Sequence, residues 1–254
     1  MAAPLTVGPG WTIEPGWIIG NTPVPDVVSG LQLYLDANNP ASYPGTGTTW
    51  YDLSGNSNDV EMQNSGDISY TSSGGGYFST GSTGYFSKTS GTNIPTGSTS
   101  YTVSAWVQFP TGWPGGSTNR VIAQIGSTPT YDNLNSFAAT PGGYLYVGWF
   151  NTPGQNPPLA SSSWTPGSPG TAWMNVVSQW DGAVRNIWYN GVLQATDSVG
   201  ADLTNNTDIL IGLDYSGFGN YLVGNIGQVL IYSRALTQLE LIQNFNTVKS
   251  RYGL

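Results

Sequence analysis

Asp59 and Glu61 stand two residues apart, the spacing that places two carboxylates on one face of a strand. Such a pair is the minimum for glycoside hydrolysis: one carboxyl protonates the leaving group while the other attacks or activates water, at about 5–5.5 Å in the retaining case. Glu61 has no acidic partner at i+2 or i+4, and the pair follows directly on a turn-forming cluster. The remaining glutamates are Glu14, in a Pro/Gly-rich leader, and Glu240, at a helix start. Histidine and cysteine are absent, which removes the usual general base, the commonest zinc ligand and any thiol nucleophile. The sequence therefore predicts a protein that is not an enzyme, with the carboxylate pair in a structural role.

The second constellation offers hard oxygens. Asp52, Ser54, Asn56, Asn58 and Asp59 crowd a short segment around Gly55, and calcium takes 6–8 such ligands. The same residue types are what an ordinary turn requires, because their side chains cap nearby backbone groups. The turn is the plainer assignment; calcium is the one cofactor for which the chain gathers ligands.

The third suits carbohydrate. A sugar has an apolar face and a hydroxyl rim, so its sites pair an aromatic platform with Asn or Asp. Trp113 and Trp164 lie in Gly/Pro/Ser-rich loops, and Tyr131, Asp132 and Asn133 form a further candidate rim. Against them stands the number of tryptophans: with ten, most must be buried, and core packing accounts for Trp106, Trp149, Trp173, Trp180 and Trp188. Contact with a neighbouring subunit is an equal reading of the two loop tryptophans.

These residues must be held by strands. Leu31, Leu33 and Leu35 alternate with Gln32 and Tyr34, the pattern of a half-buried strand. Alternation recurs over Tyr101–Phe109, a short strand is expected at Val121–Ile125, and Pro141-Gly142-Gly143 separates two apolar runs as a hairpin turn would. Asn190-Gly191 between apolar runs predicts a type I′ turn, which needs positive φ at both positions. One helix is expected, over 237–249: Thr237 and Glu240 make a capping box, Leu236 and Leu241 staple its entry, and Leu241, Ile242, Phe245 and Val248 share a face.

Composition narrows the partners. Only 8% of residues are charged, against about 25% in typical soluble domains, and the net charge is −8. Six scattered Lys and Arg cannot bind a phosphate backbone, so no nucleic acid is expected. No run approaches the ~20 apolar residues of a membrane span. Residues 1–28 lack the basic and apolar regions of a secretory signal, which predicts a leaderless route, lysis or assembly inside the cell. That segment instead repeats Pro-Gly-Trp, at Pro9-Gly10-Trp11-Thr12-Ile13 and Pro15-Gly16-Trp17-Ile18-Ile19. Its Trp11, Ile13, Trp17, Ile18 and Ile19 need a covering surface, either on their own domain or as an anchoring arm on a partner.

The ordered series Trp173-Met174-Asn175-Val176-Val177, Asp181-Gly182, Trp188-Tyr189-Asn190-Gly191, Gly224-Asn225-Ile226-Gly227 and Tyr232-Ser233-Arg234-Ala235-Leu236 resembles the laminin-G-like, concanavalin A-like jelly roll, with the likeness running over roughly residues 30–250. Glucanases of that superfamily use a pattern like Glu-x-Asp-x-x-Glu, missing here, and laminin-G-like relatives often carry a rim calcium. The N-terminal half, Leu35-Asp36-Ala37 to Trp50-Tyr51-Asp52-Leu53-Ser54-Gly55-Asn56, and the Pro-Gly-Trp leader resemble structural proteins of tailed phages and other large viruses. The expectation is an all-β, antiparallel two-sheet jelly-roll sandwich over 29–254, with a short C-terminal helix and an extended N-terminal arm over 1–28. The function implied is a non-enzymatic virion surface or fibre component in an oligomeric assembly with other virion proteins. The alternative is an extracellular carbohydrate-binding attachment module, calcium-assisted, whose partner is a surface glycan.

Overall fold

The computed structural model describes residues 5–6, 12–13, 27–109, 118–126, 134–150, 156–160, 172–198, 206–214 and 220–254. In chain order its strands begin with β1 (Leu5–Thr6), β2 (Thr12–Ile13), β3 (Leu31–Asp36), β4 (Thr49–Trp50), β5 (Val60–Gln63) and β6 (Ile68–Thr71). They continue with β7 (Tyr77–Thr80), β8 (Tyr85–Lys88), β9 (Tyr101–Gln108), β10 (Arg120–Ile125), β11 (Leu134–Ala139) and β12 (Leu145–Phe150). The last are β13 (Asn156–Ala160), β14 (Met174–Trp180), β15 (Arg185–Tyr189), β16 (Val192–Asp197), β17 (Ile209–Ile211) and β18 (Gly224–Tyr232), followed by α1 (Gln238–Lys249) and a 3-10 turn, Ser250–Tyr252.

Two large antiparallel sheets result. The first runs β13-β12-β11-β10-β17-β8-β5-β4; the second runs β16-β15-β14-β9-β18-β7-β6, with β3 also paired to β18. Between them lies one core, with Leu33, Leu35, Val103, Val107, Ile226 and Val229 from the second sheet meeting Val60, Phe86, Phe137, Val147 and Ile211 from the first. This is the expected jelly-roll sandwich. Within the arm, β1 and β2 pair with each other, Leu5 opposite Ile13, a contact that its Pro/Gly-rich sequence does not announce.

Strand β18 organises the second sheet. Its first residues pair with β7 and its later ones with β3, both along the edge opposite β9. Between Ile226 and Gln228 the register with β9 slips by one residue, so the inward-facing positions change from Ile226 to Val229 and Ile231. A bulge of this kind switches which face a strand presents.

The outer face of the second sheet carries α1. Leu241 packs there with Tyr34, Val177, Trp188, Leu230 and Tyr232. Trp106 stacks on Phe245 and on Tyr252, with ring centroids 5.6 and 4.8 Å apart. This cover corrects two expectations. From Leu33 onward strand β3 is covered on both faces: Tyr34, on its outer face, is nearly as inaccessible as Leu33 and Leu35, because the helix-side cluster closes over it, while Leu31 is only partly covered and packs on that cluster. The buried stripe of the helix is Leu241, Asn244 and Val248, with Ile242 and Phe245 only half-covered.

The local signals act as expected. Asn190 and Gly191 both take positive φ, 47° and 77°, and turn β15 into β16. Thr237 is the N-cap, so the helix proper starts at Gln238, and the Thr237–Glu240 capping box is formed. Leu236 and Leu241 are buried together.

Candidate functional site

Alternation along β8 sends Phe86 into the core and Tyr85 to the outer face of the first sheet, with Gln63 of β5 directly opposite Tyr85. The Tyr221 ring lies 6.3 Å from the Tyr85 ring at an interplanar angle of 51°. Both tyrosines are half-exposed. Tyr221 is set there by a bridge to Leu213 and by Asp214, which receives the Asn220 side-chain amide at 3.1 Å.

At the same strand ends, a shallow depression of ≈ 570 Å³ is lined by Asn64, Gly66, Asp67, Ser82 and Thr83. Asp67 builds it. Its Oδ2 accepts the Thr83 backbone N–H at 2.7 Å and the Thr83 hydroxyl at 2.8 Å, while Asn64 Nδ2 donates to the Thr83 carbonyl at 2.9 Å. The Thr83 hydroxyl, then its backbone N–H, hold the Asp67 carboxyl below the usual carboxylate range. Gly81 lies so close that a Cβ there would overlap that carboxylate. The result is an anionic acceptor, amide and hydroxyl groups and two tyrosine rings at one end of one sheet. Chemically this can stack an apolar ring face and bond a hydroxyl rim.

Asp52, Asn56, Asn58 and Asp59 come together as expected, around the turn at Gly55. Asp52 Oδ1 accepts the N–H groups of Tyr34 at 2.8 Å and Ser54 at 2.9 Å; Oδ2 accepts the Ser54 hydroxyl at 2.7 Å and the Asn58 N–H at 3.0 Å. Asp59 Oδ1 accepts the Asp52 N–H at 2.8 Å, and Asn58, fully buried, bridges the Gln32 and Thr92 backbones. Asn56 Nδ2 donates to the Leu31 and Gln32 carbonyls at 3.3 Å each. These bonds account for all four side chains as turn-builders, and a calcium ion would have to displace them. Among the described residues no group of three or more acidic side chains is arranged around a metal position.

Glu61 accepts the Thr49 hydroxyl at 2.7 Å, so Asp59 and Glu61 each serve a local backbone or side-chain bond. Trp113, Tyr131, Asp132, Asn133 and Trp164 lie outside the described residues, as do Trp11, Trp17, Ile18 and Ile19. Ile13 stands in β2. Tyr85, Tyr221 and Asp67 escaped the sequence reading. Gly81 and Gly84 do bracket a turn, but the partner of Thr83 lies 16 residues away, so the pocket exists only once β6 pairs with β7 and β5 with β8.

The profile of the concanavalin A-like lectin/glucanases superfamily matches residues 79–242, more than half the chain, and the protein belongs to that superfamily. No curated protein sequence matches the chain. Its fold is similar to the binding domain of Paraclostridial Mosquitocidal Protein 1, at a TM-score of 0.68 and 15% identity, covering 87% of this chain and 52% of that one. It is also similar to the botulinum neurotoxin serotype C1 binding domain, at 0.66 and 17%, covering 87% and 52%. A third likeness is to the receptor binding domain of botulinum neurotoxin D, at 0.66 and 14%, covering 86% and 53%. The chain thus spans about half the length of these solved domains, and at such identities the likeness is one of fold.

Proposed function

We propose that this member of the concanavalin A-like lectin/glucanases superfamily is a non-enzymatic, lectin-like binding module that takes the carbohydrate of a surface receptor. The contact is the rim formed by Tyr85, Tyr221 and the Asp67 depression. The observation that carries the reading is the half-exposed tyrosine pair, 6.3 Å between centroids, at the end of β8 where Thr83, two residues before Tyr85, fixes the Asp67 carboxylate as an acceptor. The similar folds include domains described as binding and receptor binding, which supports the class. The loop residues Trp113, Tyr131, Asp132, Asn133 and Trp164 are a second candidate contact.

We further propose display outside the cell, on a virion or another particle. It is supported by the resemblance of residues 35–56 and of the Pro-Gly-Trp leader to phage and large-virus structural proteins. Trp11, Ile13, Trp17, Ile18 and Ile19 would then anchor the module in an oligomeric assembly.

The test is calorimetric titration of the full chain with a panel of neutral and acidic oligosaccharides, repeated on Tyr85→Ala and Trp113→Ala. Saturable binding lost in Tyr85→Ala supports the rim. Binding lost only in Trp113→Ala moves the site to the loops, and no binding to any glycan sinks the lectin reading.

A further inference from the structure

Asn244 is a polar residue in the middle of the buried stripe of α1, 8% exposed, where an unpaired amide would be costly. Its bonds are spent on the root of the N-terminal segment. The backbone N–H of Val27 donates to Asn244 Oδ1 at 3.1 Å; Asn244 Nδ2 donates to Tyr232 Oη at 2.9 Å; Tyr232 Oη donates to the Val27 carbonyl at 2.9 Å. The three bonds close a ring that satisfies both backbone groups of one residue, as a paired strand does in an antiparallel ladder. Burial pushes the Tyr232 hydroxyl well above the ordinary tyrosine range, keeping the proton that its donor role needs. The Val27 side chain is buried with Tyr34, Tyr232, Leu236 and Leu241. Just beyond it, Arg234 Nε holds the Ser29 carbonyl at 2.9 Å and the Ser233 N–H holds that of Gly30 at 2.8 Å.

We infer that Asn244 and Tyr232 form a built seat for Val27, so that the chain enters the sandwich at a rigid joint. The partners of this seat are β18, a central strand of the second sheet, and α1, so Val27 is coupled to the core of the domain. The inference stands on this ring alone, whether or not the rim binds glycan.

The chain has no cysteine, so Val24→Cys carries a unique spin label next to the joint. Asn244→Leu keeps the side-chain size and removes both of its bonds; Tyr232→Phe removes one partner with less disturbance. Amide exchange of Val27 should accelerate roughly tenfold or more in either variant, the factor expected for lost hydrogen bonds of ordinary strength, with the label narrowing to a mobile spectrum. The Val229 amide, in the core of β18, should keep its protection in Tyr232→Phe. Unchanged Val27 exchange and label mobility in both variants overturns the seat. So does equal acceleration at Val27 and Val229 in Tyr232→Phe, which would make the joint merely part of global stability.

Discussion

The guanidinium of Arg251 bridges both oxygens of Asp36, with Nη1 at 2.9 Å from each, across a separation of 215 residues. Asp36 ends β3 and its side chain is wholly buried; that of Arg251 is 8% exposed. The carboxylate also accepts the Asn38 N–H at 2.9 Å and the Tyr34 hydroxyl at 3.2 Å, while Arg251 Nη2 donates to the Tyr252 hydroxyl at 3.2 Å. The pair therefore pins the final 3-10 turn to the first strand of the sandwich, under the Trp106–Tyr252 stack.

Breaking this pair from one side strands a charge in a site that excludes water. Arg251→Met or Asp36→Leu should cost about 3–5 kcal/mol in urea denaturation, whereas the double variant Asp36→Leu with Arg251→Met should recover most of it. Independent, additive losses in the two single variants and the double would show that the two groups are not coupled.

Gly227 sits at the β18 bulge with the Tyr252 hydroxyl directly over it, so that a Cβ there would overlap the ring oxygen. Gly227→Ala must push Tyr252 off Trp106 and Trp173. A loss of about 1–3 kcal/mol is expected from such overpacking, read as a fall in melting temperature.

Acid should loosen the start of α1. Glu240 accepts Arg234 at 2.6 and 2.9 Å and the Thr237 backbone N–H at 2.8 Å. The Arg234 guanidinium, ahead of the Thr237 groups, draws the Glu240 carboxyl down from 4.5 to about 2. A carboxyl whose folded pKa is depressed contributes stability above its unfolded pKa and loses it as pH falls. The contribution should thus be complete above about 4.5 and gone near 2, and Glu240→Gln should flatten that part of a stability–pH profile. Equal acid sensitivity in the variant would place the effect elsewhere.

Removing Asp52 should orphan the N–H groups of Tyr34, Ser54 and Asn58 together. Asp52→Ala is expected to cost about 2–4 kcal/mol, the sum of several modest hydrogen bonds. A chelator should leave the melting temperature of the full chain unchanged, because the same carboxylate oxygens are already engaged. A chelator-dependent fall would place calcium at this turn.

At the rim, Tyr85→Ala and Tyr221→Ala should each weaken glycan binding by about 1–2 kcal/mol, five- to thirty-fold, as truncating an aromatic contact does. Both rings lie outside the sandwich core, so the melting temperature should move little.

What could be read from the sequence was local or periodic. Alternating apolar residues marked β9, Asn190-Gly191 marked a turn through its need for positive φ, and Thr237 with Glu240 marked the helix start, because each signal acts within a few residues. The order of motifs from Trp173 to Leu236 carried the fold, and the turn-building role of Asp52 to Asp59 followed from residue type. The tertiary structure alone decided which distant groups meet. Asp36 with Arg251, the Val27 backbone with Asn244, and Asp67 with Thr83 are contacts whose polar side chains look like ordinary surface residues along the chain. Asp36 with Arg251 and Val27 with Asn244 acquire partners only when strand pairing and the docking of α1 exclude water around them, whereas Asp67 meets Thr83 at an exposed strand end; burial is a property of the packed sheets and not of any one segment.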